Sequence, residues 1–230
     1  MREVQQEPLR PGKPVQFSVL RVPFFLEPDY DPSPEFEETN RTRLVRKWGG
    51  PAGWARQKAS HGLKERGQEV GIAKFNLDRI ASNTLPSHRL VQWVTKTKGV
   101  SAAERLYNDL NYQHFEVGHK LNDPQMLAAS AEEHTGVPAA QSLAFLATDE
   151  GKAEIQAAQG ILRQLGVSGI PTFVLGATTV LPSGALRAQH LVRAFRELEE
   201  ASEEGAPRSV FAEALGIPQQ VLESPLDLEL

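Results

Sequence analysis

Gly166-Val-Ser-Gly-Ile-Pro-Thr-Phe-Val-Leu-Gly176 (GVSGIPTFVLG) is the stretch in which the residue pattern changes period. Gly169 to Gly176 reads as a turn running into a strand, with β-branched and aromatic residues after the proline. Thr178 to Leu181 reads as a second strand, close enough to make a hairpin. Ser183-Gly184 is a turn signal, and Leu191, Ala194, Phe195 and Leu198 mark an amphipathic helix behind it. Pro171 is the sharpest residue of the stretch. An X-Pro bond reaches the cis form at small cost and then presents the backbone of the preceding residue, Ile170, to an extended ligand. The plain alternative is a proline turn ahead of a strand.

Upstream, about Asn40 to Leu165 reads as helix after helix. Leu90, Trp93, Val94 and Thr97 fall at helical spacing behind Asn83, which reads as an N-cap with Pro86 in the first turn. Ser101 and Glu104 form a capping-box pattern before the stripe Ala103, Leu106, Tyr107 and Leu110. Asp123-Pro124 opens another helix that ends at Gly136, and Glu150 to Leu165 is amphipathic. Trp54 to Gly71 is a weaker candidate, interrupted by Gly62 and Gly67. Further towards the N-terminus, Val15 to Val22 (VQFSVLRV) is a strand candidate, followed by a stretch in which Pro23, Pro28, Pro32 and Pro34 forbid a continuous helix. Residues 1–14 carry three prolines and read as a loose arm. The predicted organisation is an arm (1–14), an α/β domain (15–39 and 166–204), an all-helical insertion (40–165) and a tail (205–230).

The chain has 230 residues, 40% hydrophobic and 23% charged, enough for a sizeable core. A net charge of −4 argues against a nucleic-acid surface. There is no cysteine, which removes disulfides, thiolate metal sites and thiol nucleophiles from this chain. No apolar run is long enough to cross a bilayer and the start has no secretory-signal core, so a cytoplasmic or other intracellular setting is expected, with an organelle left open. The spacing of His114, Glu116, His119 and Asp123 is not that of a zinc-binding helix, and no metal is expected.

Four segments together resemble the DsbA-like branch of the thioredoxin superfamily. They are RVPFFLEPDY (21–30), NTLPSHRL (83–90), FEVGHKLNDPQML (115–127) and GVSGIPTFVLG (166–176) with Ser183-Gly184-Ala185 after it. NTLPSHRL is similar to the signature of the FrnE-like subgroup. The resemblance implies a thioredoxin fold interrupted by a helical domain, and thiol–disulfide oxidoreductase activity from a Cys-x-x-Cys on the first helix. Relatives include kappa-class glutathione transferases and 2-hydroxychromene-2-carboxylate isomerases.

The departure from the family falls at the reacting atoms. Only 14 residues precede the segment matching the family's second strand, so the first strand, the Cys-x-x-Cys and the first helix are expected to be missing from this chain. An empty central slot would leave backbone groups unpaired at roughly 1–3 kcal/mol each, against a total stability of about 5–15 kcal/mol. The sequence is therefore read as an incomplete form of a longer protein. The alternative is that the arm, the tail or a second chain fills the slot, as a homo-oligomer or a partner strand.

By the same resemblance, Ile170 and Pro171 bind a peptide or glutathione, and Ser183 and Gly184 hold the γ-glutamyl end of glutathione through free backbone N–H groups. The bland reading of Ser183-Gly184 is a hairpin-to-helix turn. Asn83 and His88 either line the cleft or serve as structural hydrogen-bonders. Three functions stand side by side: an oxidoreductase-family protein inactive as it stands, a glutathione-binding isomerase or transferase, and a non-catalytic binding or scaffold protein. The expected partners are a peptide or protein thiol/disulfide substrate or glutathione, with no resident cofactor.

Overall fold

The computed structural model describes residues 1–33, 35–60, 62–176, 179–201 and 209–227. Pro34 and Thr178, together with residues 202–208 and 228–230 at the end of the predicted α/β domain and in the tail, lie outside the described residues. In chain order the elements are α1 (Arg2–Gln6), β1 (Glu38–Thr39), α2 (Asn40–Lys47), α3 (Pro51–Ser60), α4 (Leu63–Glu69), β2 (Ile80–Ala81), α5 (Leu85–Lys98) and α6 (Val100–Tyr112). A π-helical turn (Gln113–Val117) follows, then α7 (Pro124–Thr135), α8 (Ala139–Leu146), α9 (Lys152–Gln164), β3 (Val174–Leu175), β4 (Thr179–Val180), α10 (Ala188–Ala201), α11 (Val210–Ala214) and α12 (Gln219–Glu223). The described chain is mostly helical, and its strands are two antiparallel pairs, β1 with β2 and β3 with β4.

The chain divides into two compact units, and the division cuts α5 and α6. The first unit comprises residues 1–26, 91–104 and 149–230, and the second comprises 27–90 and 105–148. Segments 91–104 and 149–165, read from sequence as part of the insertion, therefore group with the hairpin.

In the first unit α9 packs on α11 and α1 packs on α10. Val94, Val100, Ile155, Ala158, Phe211 and Leu215 are buried there. Two expectations are corrected. Residues 1–14 are not a loose arm: α1 buries Val4 completely, and the Leu9 N–H donates to Glu199 at 2.6 Å. The described part of the tail, residues 209–227, is likewise built in, with Phe211, Leu215 and Leu222 buried.

Val15 to Val22 is the third correction, since it joins no strand ladder among the described residues. Its backbone is satisfied another way. Arg21 O accepts from Gln92 Nε2 at 2.6 Å, and Phe17 O accepts from the Leu226 N–H at 2.8 Å. Just beyond, Pro23 O accepts from Gln159 Nε2. Helix side chains and the tail thus take acceptors that a neighbouring strand would otherwise use. β-Propensity marks a segment that can pair; it does not supply the partner.

In the second unit α7 packs on α8, and α2 packs on α3 and on the β1–β2 pair. Asp123 caps α7 as read from sequence: its Oδ1 accepts from Gln125 N at 2.9 Å and from Met126 N at 3.3 Å, with Pro124 at the first helical position. Gly136 closes that helix in the left-handed region, at φ 69°. The capping box at Ser101 and Glu104 does not form. α6 begins at Val100, Ser101 Oγ accepts from the Asp227 N–H, and the Glu104 carboxylate is taken by Arg21.

Candidate functional site

The bend ahead of β3 is held by two hydroxyls and two backbone amides. Thr172 Oγ1 donates to Gly169 O at 2.8 Å. A hydroxyl has one hydrogen, so the 2.7 Å contact between Thr172 Oγ1 and Ser183 Oγ is donated by Ser183. The Gly184 N–H donates to Pro171 O at 2.8 Å, and the Leu181 N–H donates to Phe173 O at 2.9 Å. These bonds continue the β3–β4 pairing to its open end and fix the Ser183-Gly184 turn against the proline. Gly184 has φ 114°, a conformation that favours glycine there.

The Ile170–Pro171 peptide bond is cis. Ile170 is 52% exposed, and among the described residues neither its N–H nor its C=O makes a hydrogen bond. The bend therefore offers one donor and one acceptor to an extended chain. Between the turn and α10 lies a groove of about 240 Å³. Leu181, Pro182, Leu186 and Ala194 line its apolar side, and His190, Arg193 and Glu197 its polar side.

The structure brings Pro171, Ser183 and Gly184 together but alters what the last two can do. The Gly184 N–H, expected to be free for a carboxylate, is committed to Pro171 O. The Ser183 hydroxyl donates its hydrogen bond to Thr172 and, exposed, is left to a ligand as an acceptor. Thr172 was missed in the sequence, although its place directly after the proline is the signal: a hydroxyl there reaches both ends of the bend.

Asn83 and His88 belong to the second unit. Asn83 stands one residue earlier than a true N-cap, because α5 starts at Leu85. Its Oδ1 accepts from Leu85 N at 3.0 Å and its Nδ2 donates to Tyr30 O at 2.9 Å. Both side-chain atoms thus tie the loop to the helix start. His88 is half-buried. The more informative residue of that signature is its neighbour Arg89, 3% exposed, which donates to Phe145 O, Leu146 O and Thr148 O at the end of α8. A buried guanidinium serving the last carbonyls of a helix is a structural anchor. His114, weighed above as a metal ligand, directs Nδ1 at His119 O at 2.9 Å.

With this geometry in hand, the family match is specific: the DSBA-like thioredoxin domain matches residues 53–196, more than half of the chain, and includes the whole bend. The chain belongs to the DSBA-like thioredoxin domain family. Comparison with curated proteins gives no match. The matched region of this DSBA-like chain starts in α3, so Val15–Val22 lies outside it. No helix among the described residues is long and apolar enough to cross a membrane.

Proposed function

We propose that this DSBA-like chain is a non-redox binding member of its thiol-oxidoreductase family, which receives an extended polypeptide along the Ile170 backbone. The observation that carries the reading is the unpaired, exposed Ile170 peptide group on a bend held by Thr172, Ser183 and Gly184. An extended ligand gains affinity there by main-chain pairing and selectivity from side-chain contacts in the adjoining groove. The chain has no cysteine, so any thiol reacting on this platform belongs to the bound partner.

A peptide fits better than glutathione. The γ-glutamyl carboxylate would need donors at Ser183-Gly184, where one N–H and the serine proton are already engaged. The isomerase and transferase readings, and membership of the FrnE-like subgroup, depend on glutathione binding or on finer likeness and stand behind the peptide reading.

Titration of the isotope-labelled full chain with carboxymethylated insulin B chain tests this by amide chemical shifts. The expected result is a saturable change centred on Ile170 to Phe173, weakened at least about threefold by Thr172→Val, which removes both hydroxyl bonds. No change at the bend, or shifts confined to Ser183-Gly184 on adding reduced glutathione, would overturn it. Insulin reduction should show no turnover.

A further inference from the structure

The second unit holds a guanidinium that its own residues leave incompletely served. Arg79 donates Nη1 to Asn76 O at 3.1 Å and lies with Cζ 5.0 Å above the Phe115 ring. Its Nε is buried with no hydrogen-bond partner, and no carboxylate among the described residues pairs with it. Nη2 makes no hydrogen bond either. Arg89 in the same unit is the contrast, because three carbonyls take its two terminal nitrogens.

The nearby charges do not supply a counter-ion. Arg43 takes Glu27 through both Nε and Nη2, and Arg46 takes Glu38. Burial, then the charge of Arg43, pulls the Arg79 pKa down to about 10. The guanidinium is still charged at neutral pH, so one positive charge sits in a partly desolvated place with nothing of opposite sign against it among the described residues. Such a charge is costly unless something neutralises it.

The ring above Arg79 is placed by the π-helical turn, a distortion often found at functional sites. Gly118 ends the turn with φ 114°, and a Cβ there would come within 2.6 Å of Asn76 Nδ2. Asn76 in turn binds Phe115 O through its backbone N–H and Val117 O through its side chain. Phe115 and Val117 are 36% and 41% exposed, so the turn shows apolar surface beside the unserved charge.

We propose that Arg79 and the Gln113–Val117 turn form a binding site for a small carboxylate with an apolar body. The carboxylate takes the open Nη2, and the body lies against Phe115 and Val117. A single excess positive charge matches a monoanion. The site is independent of the peptide platform, which lies in the first unit.

The test uses the full chain with benzoate as probe and benzyl alcohol as its neutral counterpart. Benzoate should shift the Phe115 ring signals and the Arg79 Nε–H saturably, with benzyl alcohol at least about tenfold weaker. Arg79→Met should abolish the benzoate response. Because that variant also removes the contacts to Asn76 and Phe115, Val117→Ser at an exposed position serves as the second, and should weaken benzoate by about threefold with the fold unchanged. Equal responses to the two probes, no saturation, or an undiminished response in Arg79→Met would each overturn the proposal.

Discussion

Within the first unit, α9 and α10 carry equally clear helical stripes and come to different ends. α9 buries Ile155, Ala158 and Leu162 at 2%, 0% and 7% exposure. α10 repeats the pattern with Leu191, Ala194, Phe195 and Leu198, yet none of its residues is buried. The difference lies in what is opposite. α9 faces α11, which brings Phe211 and Ala212 into the core. α10 meets the five-residue α1, an edge-on contact between Phe195 and Phe17, and a hairpin whose own residues are half-buried or exposed. Apolar periodicity thus chooses the face a helix turns inward, whereas the depth of burial depends on the elements that cover it.

Core truncations offer the largest test of that contrast. Leu215, fully buried behind α11, should cost about 3 kcal/mol when changed to Ala. Leu198 on the half-buried face of α10 should cost under about 1 kcal/mol. Urea unfolding at constant m-value measures both. Equal losses would mean that the burial difference has no energetic counterpart.

A smaller effect probes how the extended Val15–Val22 segment is held in place of a strand. Arg21 donates Nε and Nη2 to the two oxygens of Glu104, both at 2.7 Å, with the glutamate side chain only 9% exposed. Arg21→Ala strands that carboxylate and should cost about 2 kcal/mol, kept below the range for a fully buried pair because the arginine is 43% exposed. The double variant Arg21→Ala/Glu104→Met should recover most of the loss. If the double variant unfolds as readily as the single, the segment is held by something other than this pair.

The same contrast explains what could be read in the sequence. α7 was legible because its ends are set locally: Asp123, Pro124 and Gly136 each act within a turn. The hairpin and α10 were legible from their change of period. Val15–Val22 was not, because its backbone partners are Gln92 and Leu226, far away in the chain. The docking of α1 was hidden by the prolines behind it, which describe the loop and not the helix before it. At the bend, the Ser183-Gly184 turn and the strand after Pro171 were legible by pattern, but the commitment of the Gly184 N–H is a fact of three-dimensional pairing. Thr172 and Arg79 were missed because their importance lies in what they touch, or fail to touch, rather than in residue type.

The smallest expected effect concerns pH. Glu199 on α10 accepts from the Leu9 N–H and, at 2.8 Å, from Arg196 Nη1. Partial burial raises its pKa, but the bonds from Arg196 and Leu9 outweigh that and hold it below the ordinary 4.5. Glu154 on α9 is also held low, first by a backbone N–H and then, against burial, by Lys96 at 3.2 Å. A carboxylate whose folded pKa is depressed contributes stability that is complete above the unfolded value and fades as pH falls through the folded one. Both contributions therefore fade below about pH 4.5. They should differ in reach. α9 is backed by buried side chains and should stay closed, whereas α1 is tied to α10 partly through Glu199. Hydrogen exchange between pH 5 and 3, corrected for intrinsic rates, should show Leu9 and the α1 amides losing protection before those of α9. Glu199→Gln should reproduce the loss at neutral pH. Earlier opening of α9, or unchanged protection of Leu9 in that variant, would show that the weakly covered face of the unit is not its weak point.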